Sequence, residues 1–182
     1  MLIVGLFFWT HVDVVLADPY EDAAWQELET AHTVIRYQDP KDLTKLNARI
    51  RFPGKNWGII RLFKPGDIKD LRSMVVRKVD IIFERAQQIL GMRKPMKKVS
   101  IRVYQNRAQL HQAYKTIYGG RCRIRAWYRY RNNSVYVNVR DLNEGMLAHE
   151  LAHAIIDNYL DVRPPRATAE ILARYVDSHL KR

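Results

Sequence analysis

The sequence predicts an α+β fold in which a small mixed or antiparallel sheet packs against two helices, with a further helix at the C-terminus. Two stretches, 68–90 and 146–156, carry apolar residues in helical positions over more than two turns. Four short runs rich in β-branched and aromatic residues are typical of strands: 32–37, 99–104, 124–130 and 134–139. The last two runs are joined by Arg131-Asn132-Asn133, and asparagine tolerates the left-handed backbone of a hairpin turn.

The N-terminal part contributes smaller elements. Residues 20–30 predict a short helix before the first strand. After that strand, Asp39 and Pro40 begin a helix that extends to about Ile50, because aspartate caps a helix and proline suits its first turn. Two Pro-Gly pairs then bracket an apolar run between 51 and 66, where a loop and an additional strand both remain open.

The middle of the chain supplies the longest predicted helix. It begins at Asp67 and ends at Gly91, and its apolar stripe indicates one buried face. The strand at 99–104 follows. Asn106 then caps a helix that ends at Tyr118, where two glycines stop it.

Two helices complete the chain. The first is capped by Asp141 or Asn143 and is apolar on nearly all sides, so we expect it to be buried. The second begins after Pro164-Pro165, since proline fits a first helical turn and stops what precedes it. It ends in basic residues, which suit a helix C-terminus.

Length and composition indicate one globular domain, over residues 18–182, with a strong positive charge. The chain has 182 residues, 47% hydrophobic and 27% charged, as is ordinary for a folded protein. Its formal net charge of +12 is not ordinary, and it favours an anionic surface or polymer as a partner. The chain carries no RNA-recognition signature, which argues against a nucleic-acid partner.

The first 17 residues resemble a secretory signal peptide. The apolar run 2–9 is too short to span a membrane, and Ala17 offers a small residue for cleavage. We therefore expect an exported protein, periplasmic or secreted, without a transmembrane span. An N-terminal strand in a cytoplasmic protein is the alternative, because the run lacks a basic start. The single cysteine, Cys122, cannot form an internal disulfide and is predicted to be an ordinary thiol.

The buried helix near the C-terminus contains the sequence His149-Glu150-Leu-Ala-His153. Histidines four residues apart project from one face of a helix and can take two corners of a tetrahedral zinc site. Glu150 lies beside such a metal, where its carboxylate can take a proton from an activated water. Histidine and glutamate are rarely buried without a partner, so a metal is favoured over a chance pattern.

A third ligand is needed, and Glu170 is the candidate. It lies 17 positions after His153, in the second turn of the last helix and among apolar residues on the predicted inward face. Taken alone it would be a solvated helix residue, but beside the first motif it completes a His, His, Glu set with one open position. His32 and His179 are too remote or face another side, and neither is expected to be a ligand.

The pattern H-E-L-A-H-A-I-I, a proline, and then A-E-x-L-A-x-Y resembles the gluzincin zinc metallopeptidases, in particular the peptidase-MA-like domains. The resemblance implies a zincin-like fold and one zinc ion per chain, held by His149, His153 and Glu170. It also implies that Glu150 is the general base and that proteins or peptides are the substrates. The chain departs from many relatives at Arg174, where an acidic residue is usual.

Several roles stay open on the sequence alone. Tyr175, Arg174 and Tyr159 are candidates to stabilise an oxyanion, with Tyr175 the preferred catalytic residue. The basic, aromatic hairpin is most simply a half-buried strand, although it could stack on a polymer or pair with an extended peptide. Two alternative functions are a peptidase acting on DNA-bound proteins, similar to SprT-like enzymes, and a catalytically degenerate basic binding domain.

Overall fold

The structure, a computed structural model, describes residues 25–51 and 70–180. It has five strands, which are β1 (Gln26–Glu29), β2 (Thr33–Tyr37), β3 (Val99–Tyr104), β4 (Ala126–Arg129) and β5 (Ser134–Asn138). Its five helices are α1 (Pro40–Arg49), α2 (Leu71–Leu90), α3 (Arg107–Tyr118), α4 (Glu144–Tyr159) and α5 (Arg166–His179). The predicted α+β class with a small mixed sheet is confirmed.

The sheet has the order β1-β2-β3-β5-β4. Its three central strands are parallel, whereas β1 and β4 lie antiparallel at the two edges. The register places Ile35 beside Ile101 and Ile101 beside Val135, so one row of branched side chains crosses the parallel strands. These side chains point to one face, because successive residues of a strand alternate between the two faces.

That face carries the main core, which α2 and α4 cover. Residues such as Val79 and Phe83 of α2 and Leu151 and Ile155 of α4 are fully buried against the sheet. Helix α5 packs outside α4 through Ala173, so α4 is enclosed between the sheet and another helix. The enclosure explains why α4 is apolar on nearly every side.

The opposite face carries a smaller, aromatic cluster covered by α3. Tyr104 of β3, Trp127 of β4 and Tyr136 of β5 pack there against Leu110 and Ala113 of α3. The rings of Trp127 and Tyr136 stack with their centroids 4.6 Å apart. The sheet therefore separates two packing layers of different chemistry.

The ends of several helices are set by capping residues, which satisfy backbone groups that have no partner within the helix. Asp39 caps α1 in a reciprocal capping box with Asp42, and Asn106 caps α3. Asn143, one of the two predicted candidates, caps α4 by accepting from the Met146 amide. Gly119 ends α3 with a φ of 71°, a left-handed conformation that favours glycine.

Two sequence predictions are corrected. The helix predicted over 20–30 is wrong from residue 26 onward, because Gln26–Glu29 pairs antiparallel with β2 and pairing overrides local helical periodicity. Helix α2 begins after Asp70 and not at Asp67, since the Asp70 carboxylate accepts from the Ser73 amide at 2.8 Å. Asp67, nearly all of the 51–66 stretch and the signal-peptide prediction for residues 1–17 lie outside the described residues.

The predicted hairpin is confirmed, and Asn133 organises it. A short 3-10 helix (Tyr130–Asn132) joins β4 to Asn133, whose φ of 48° is left-handed. The Asn133 Nδ2 donates to the Lys98 carbonyl at 3.1 Å, and its Oδ1 accepts from Asn158 of α4 at 2.9 Å. One side chain thus ties the hairpin to the start of β3 and to the end of α4. None of the helices in the described residues has the length and apolar character needed to cross a membrane.

Replacing Asn133 should therefore destabilise the fold in two distinguishable ways. Asn133→Gly keeps the backbone conformation but removes the hydrogen bonds of the side chain, for an expected loss of about 1–3 kcal/mol. Asn133→Ala should lose more, because the left-handed backbone costs a residue with a Cβ roughly 1 kcal/mol. Urea unfolding of the full chain measures both losses.

The exposed Gln112 of α3 provides the control, since Gln112→Ala should stay within about 0.5 kcal/mol of the parent. Unchanged unfolding midpoints in both Asn133 variants would show that this side chain does not hold the hairpin in place.

Candidate metal centre

Helix α4 presents His149 and His153 one turn apart on the same face, toward α5. Their side chains are 20% and 14% exposed, so both rings are largely covered but reachable from solvent. The two Nε2 atoms face each other at 3.3 Å, and the ring planes are nearly perpendicular, at 79°. The helical spacing alone predicts the proximity of the rings, and the structure confirms it.

Helix α5 adds the third group. The Glu170 carboxylate lies with one oxygen 3.6 Å from the Nε2 of His149 and the other 3.6 Å from the Nε2 of His153. One ligand atom from each residue can be chosen so that all lie within 4.8 Å of one another. The structure confirms the prediction that Glu170 lies close to the two histidines, on the other side of the turn between α4 and α5.

The spacing of these atoms fits a metal ion better than a hydrogen-bonded cluster. Bonds of about 2.0–2.1 Å to the corners of a tetrahedron place neighbouring ligand atoms about 3.3–3.4 Å apart. The 3.3 Å between the two Nε2 atoms matches that edge, and each histidine has a different Glu170 oxygen at 3.6 Å. A histidine–carboxylate hydrogen bond would bring its two atoms to about 2.7–2.9 Å. These three residues can therefore hold a metal ion.

The protonation of the histidines also suits metal binding. Burial lowers the pKa of His153, and the neighbouring His149 lowers it further, while the charge of Glu170 acts in the opposite direction. The imidazole of His153 is therefore neutral at pH 7. A neutral ring nitrogen has the free lone pair that a metal requires.

Glu150 lies beside the cluster and is only 8% exposed. Burial raises the pKa of its carboxyl group to about 8, and the nearby Glu170 carboxylate adds to the effect. A hydrogen bond from the backbone of Tyr128, on the edge strand β4, opposes the shift in part. The residue predicted to act as a base is thus held by a strand as well as by its own helix.

A group of polar contacts lies around Asp157, one helical turn after His153, and sequence reasoning missed it. The Tyr128 hydroxyl donates to Asp157 of α4 at 3.0 Å, and Arg163 Nε donates to the other Asp157 oxygen at 3.0 Å. The guanidinium of Arg163 also lies 4.1 Å above the ring of Tyr130. Burial and the Asp157 charge raise the pKa of Tyr128, so its hydroxyl stays protonated. Asp157 follows His153 by one helical turn, and that spacing was the available signal.

The other predicted residues lie elsewhere. Tyr175 is about 140° around α5 from Glu170, is 49% exposed, and stacks on His179 at 4.0 Å. Tyr159 faces Lys94, whose Nζ is 5.0 Å from the ring centroid. His32 stacks on Phe83 and contacts Glu84, both residues of α2. None of these contacts involves the three metal-ligand candidates.

The raised pKa of Glu150 gives a testable pH dependence in the metal-free chain. Between its ordinary pKa of 4.5 and about 8, the folded state keeps a proton that the unfolded state releases. The stability that Glu150 contributes is therefore present below pH 4.5 and is lost as pH rises to about 8. Relative to Glu150→Gln, the parent should lose roughly 3 kcal/mol over this range.

Urea unfolding of both chains in chelator, at about pH 5 and about pH 8, measures this difference. The Gln variant is the internal control, because all other titrating groups are shared. Parallel pH profiles for the two chains would mean that the carboxyl group of Glu150 is solvated in the folded state.

Comparison of the chain with protein-family models, with curated proteins and with solved structures finds no match. The chemistry of the candidate centre is therefore inferred from the positions and protonation of its own side chains. One ligand atom from each of three residues lies within 4.8 Å of the others, the buried Glu150 carboxyl group is close enough to feel the Glu170 charge, and Tyr128 donates a hydrogen bond to Asp157 on the same helix.

Proposed function

We propose that the chain is a zinc-dependent endopeptidase with a zincin-like fold, acting on protein or peptide substrates. The observation that carries the proposal is the buried Glu150 carboxyl group, which follows His149 on the same helix and lies within electrostatic reach of Glu170 in the His149, His153 and Glu170 cluster. A structural metal site has four protein ligands and does not require a buried carboxyl group next to it. A hydrolytic site requires both an open position and a base.

Zinc is the metal that this ligand set favours. Two imidazole nitrogens and one carboxylate form a borderline set, which suits zinc better than calcium or magnesium, since those ions prefer oxygen ligands. Three protein ligands leave one position of a tetrahedron open. The Nε2 atoms of both histidines point into the same space, which leaves their Nδ1 atoms for other partners.

The mechanism assigns each step to a residue of this chain. A bound zinc would polarise the scissile carbonyl and lower the pKa of a water molecule to about 7. Glu150 takes the proton of the attacking water and delivers it to the leaving amine. Its raised pKa in the metal-free chain makes it a strong base once it is ionised, and the Tyr128 backbone holds it in place. His149, His153 and Glu170 keep the reacting groups in position.

A donor to the developing oxyanion completes the proposal. Tyr175, Arg174 and Tyr159 stay predictions, and we add Arg163. The charge of Arg163 reaches His153, and its guanidinium is fixed between Asp157 and the Tyr130 ring. A positioned cation near the reacting carbonyl is one of the groups that stabilise such an anion.

Substrate binding and location extend the proposal. Strand β4 is an edge strand beside α4, so an extended peptide could add to the sheet next to the metal centre. Export to the periplasm or the medium, with cleavage after Ala17, follows from the N-terminal sequence alone. N-terminal sequencing of the protein recovered from cells tests that cleavage.

The purified chain should contain about one zinc ion, and Glu170→Ala should contain clearly less, because two ligands bind zinc more weakly than three. Elemental analysis after purification without chelators measures the content. Glu84→Ala is the matched control, since Glu84 also lies on a helix and contacts a histidine, His32, at 3.3 Å. No zinc in the parent after attempted reloading would rule out the metal centre.

Glu150→Gln should retain the zinc and lose at least about 100-fold in the rate of peptide hydrolysis, because the amide cannot accept the proton. A quenched fluorescent peptide library supplies the assay, and zinc analysis of the same sample shows that the site is intact. Hydrolysis by the variant at the parent's rate would contradict the role of Glu150. A zinc-loaded parent without any hydrolysis would favour the degenerate binding domain.

A further inference from the structure

The net positive charge of the chain arises from one continuous stretch. No aspartate or glutamate occurs between Glu84 and Asp141, whereas residues 85–140 hold 14 of the 31 lysines and arginines. The rest of the chain then has 17 basic residues against 19 acidic ones. All of the surplus therefore lies in the part of the chain that forms β3, α3, β4 and β5.

Helix α3 arranges part of this charge in a line. Arg107, His111, Lys115 and Tyr118 are spaced by four, four and three residues, which places them on one face of the helix. The Nε of Arg107 donates to the Nε2 of His111 at 3.1 Å, which confirms that their side chains are neighbours. The line is about 16 Å long, at 1.5 Å per helical residue.

The segment after α3 continues the line with three arginines. Arg121, Arg123 and Arg125 are exposed, while Cys122 between them is buried and its thiol donates to the carbonyl of Ile124 at 3.3 Å. The buried cysteine holds the segment against the molecule, so the arginines on either side of it point to solvent. Within residues 25–51 and 70–180, none of the three lies in an ion pair with a carboxylate.

An aromatic ring lies where the two parts of this surface meet. Tyr118 is 48% exposed, although one side of its ring packs on Tyr114 at 4.6 Å and its edge meets Trp127 at 6.4 Å. Trp127 in turn stacks on the fully buried Tyr136. The ring is therefore held by the aromatic cluster and still offers surface to a ligand.

We propose that Arg107, His111, Lys115, Tyr118, Arg121, Arg123 and Arg125, here called the α3 basic surface, bind single-stranded nucleic acid. A line of cations follows a polyanionic backbone, and arginine matches phosphate by donating two hydrogen bonds at once. A fixed, half-exposed tyrosine is the platform on which an unpaired base stacks. A duplex offers no such base, and Ile124 alone supplies little apolar surface for insertion into a membrane.

The α3 basic surface is separate from the metal centre. Leu110 and Ala113 attach α3 to the aromatic face of the sheet, whereas α4 covers the other face. Binding there requires neither the metal ligands nor Glu150, so it can succeed or fail whatever the outcome of the zinc and hydrolysis experiments.

The test is the fluorescence anisotropy of a labelled oligothymidylate of about 20 nucleotides, titrated with the full chain at about 50 mM and about 200 mM salt. The Arg121→Ser/Arg123→Ser variant should bind at least about 10-fold more weakly, and its slope of log affinity against log salt should be smaller by about 1.4, for two lost phosphate contacts. Tyr118→Ala should weaken binding about 10-fold with the slope unchanged, and Tyr118→Phe should restore it.

Arg93→Ser/Lys97→Ser is the matched control. It removes the same charge from two exposed residues of the same acid-free stretch, but in the loop before β3 and away from α3. Its affinity should stay within about 3-fold of the parent. An equal loss in the two double variants would show that net charge alone attracts the oligonucleotide, and would overturn the proposal.

Two further outcomes would also overturn it. One is the absence of binding at the lower salt concentration. The other is binding of anionic phosphatidylglycerol vesicles or of heparin, sensitive to the Arg121→Ser/Arg123→Ser change, by a chain that does not bind the oligonucleotide. That result would assign the α3 basic surface to a membrane or to a sulfated polysaccharide.

Discussion

The enclosure of α4 between the parallel strands and α5 is the constraint on which the rest of the molecule depends. Leu151, Ile155 and Ala152 are completely buried on the helix, so α4 cannot rotate without exposing apolar surface. Its remaining face carries His149 and His153, and α5 packs there with Glu170. The hydrophobic packing thus fixes the directions of the polar side chains that meet on this face.

The electrostatics of the centre follow from the same burial. A half-covered site disfavours charge, and therefore His153 is neutral and Glu150 holds its proton more tightly than a solvated carboxyl group. A divalent cation would favour the ionised carboxylates over the protonated ones, and it would keep the imidazole rings neutral by binding them. The neutral His153 ring has the free lone pair that a metal ligand needs, so the group can hold a cation.

The two faces of the sheet carry different kinds of packing, and each face supports one candidate site. On one side, aliphatic packing supports the metal centre, and on the other an aromatic cluster supports the line of basic residues along α3. Strand β4 contributes side chains to both faces. Tyr128 points to the centre and Trp127 points to the aromatic cluster, because neighbouring residues of a strand face opposite ways. The same four-residue strand therefore links the two candidate sites.

Local patterns determined much of this architecture in advance. The four-residue spacing of the two histidines, a cap at Asn106, a cap at Asp141 or Asn143 and a left-handed asparagine in the hairpin turn depend on the backbone within a few residues, so the sequence alone predicts them. Tertiary structure decided what depends on pairing between distant segments. Residues 26–29 form a strand because they pair with β2 through backbone hydrogen bonds. The Glu150 carboxyl group accepts a hydrogen bond from the backbone of Tyr128, which lies on a different element. Asp157 likewise contacts Arg163 and Tyr128 only because the fold brings α4, the loop after it and β4 together. The spacing of residues along the sequence does not predict such contacts.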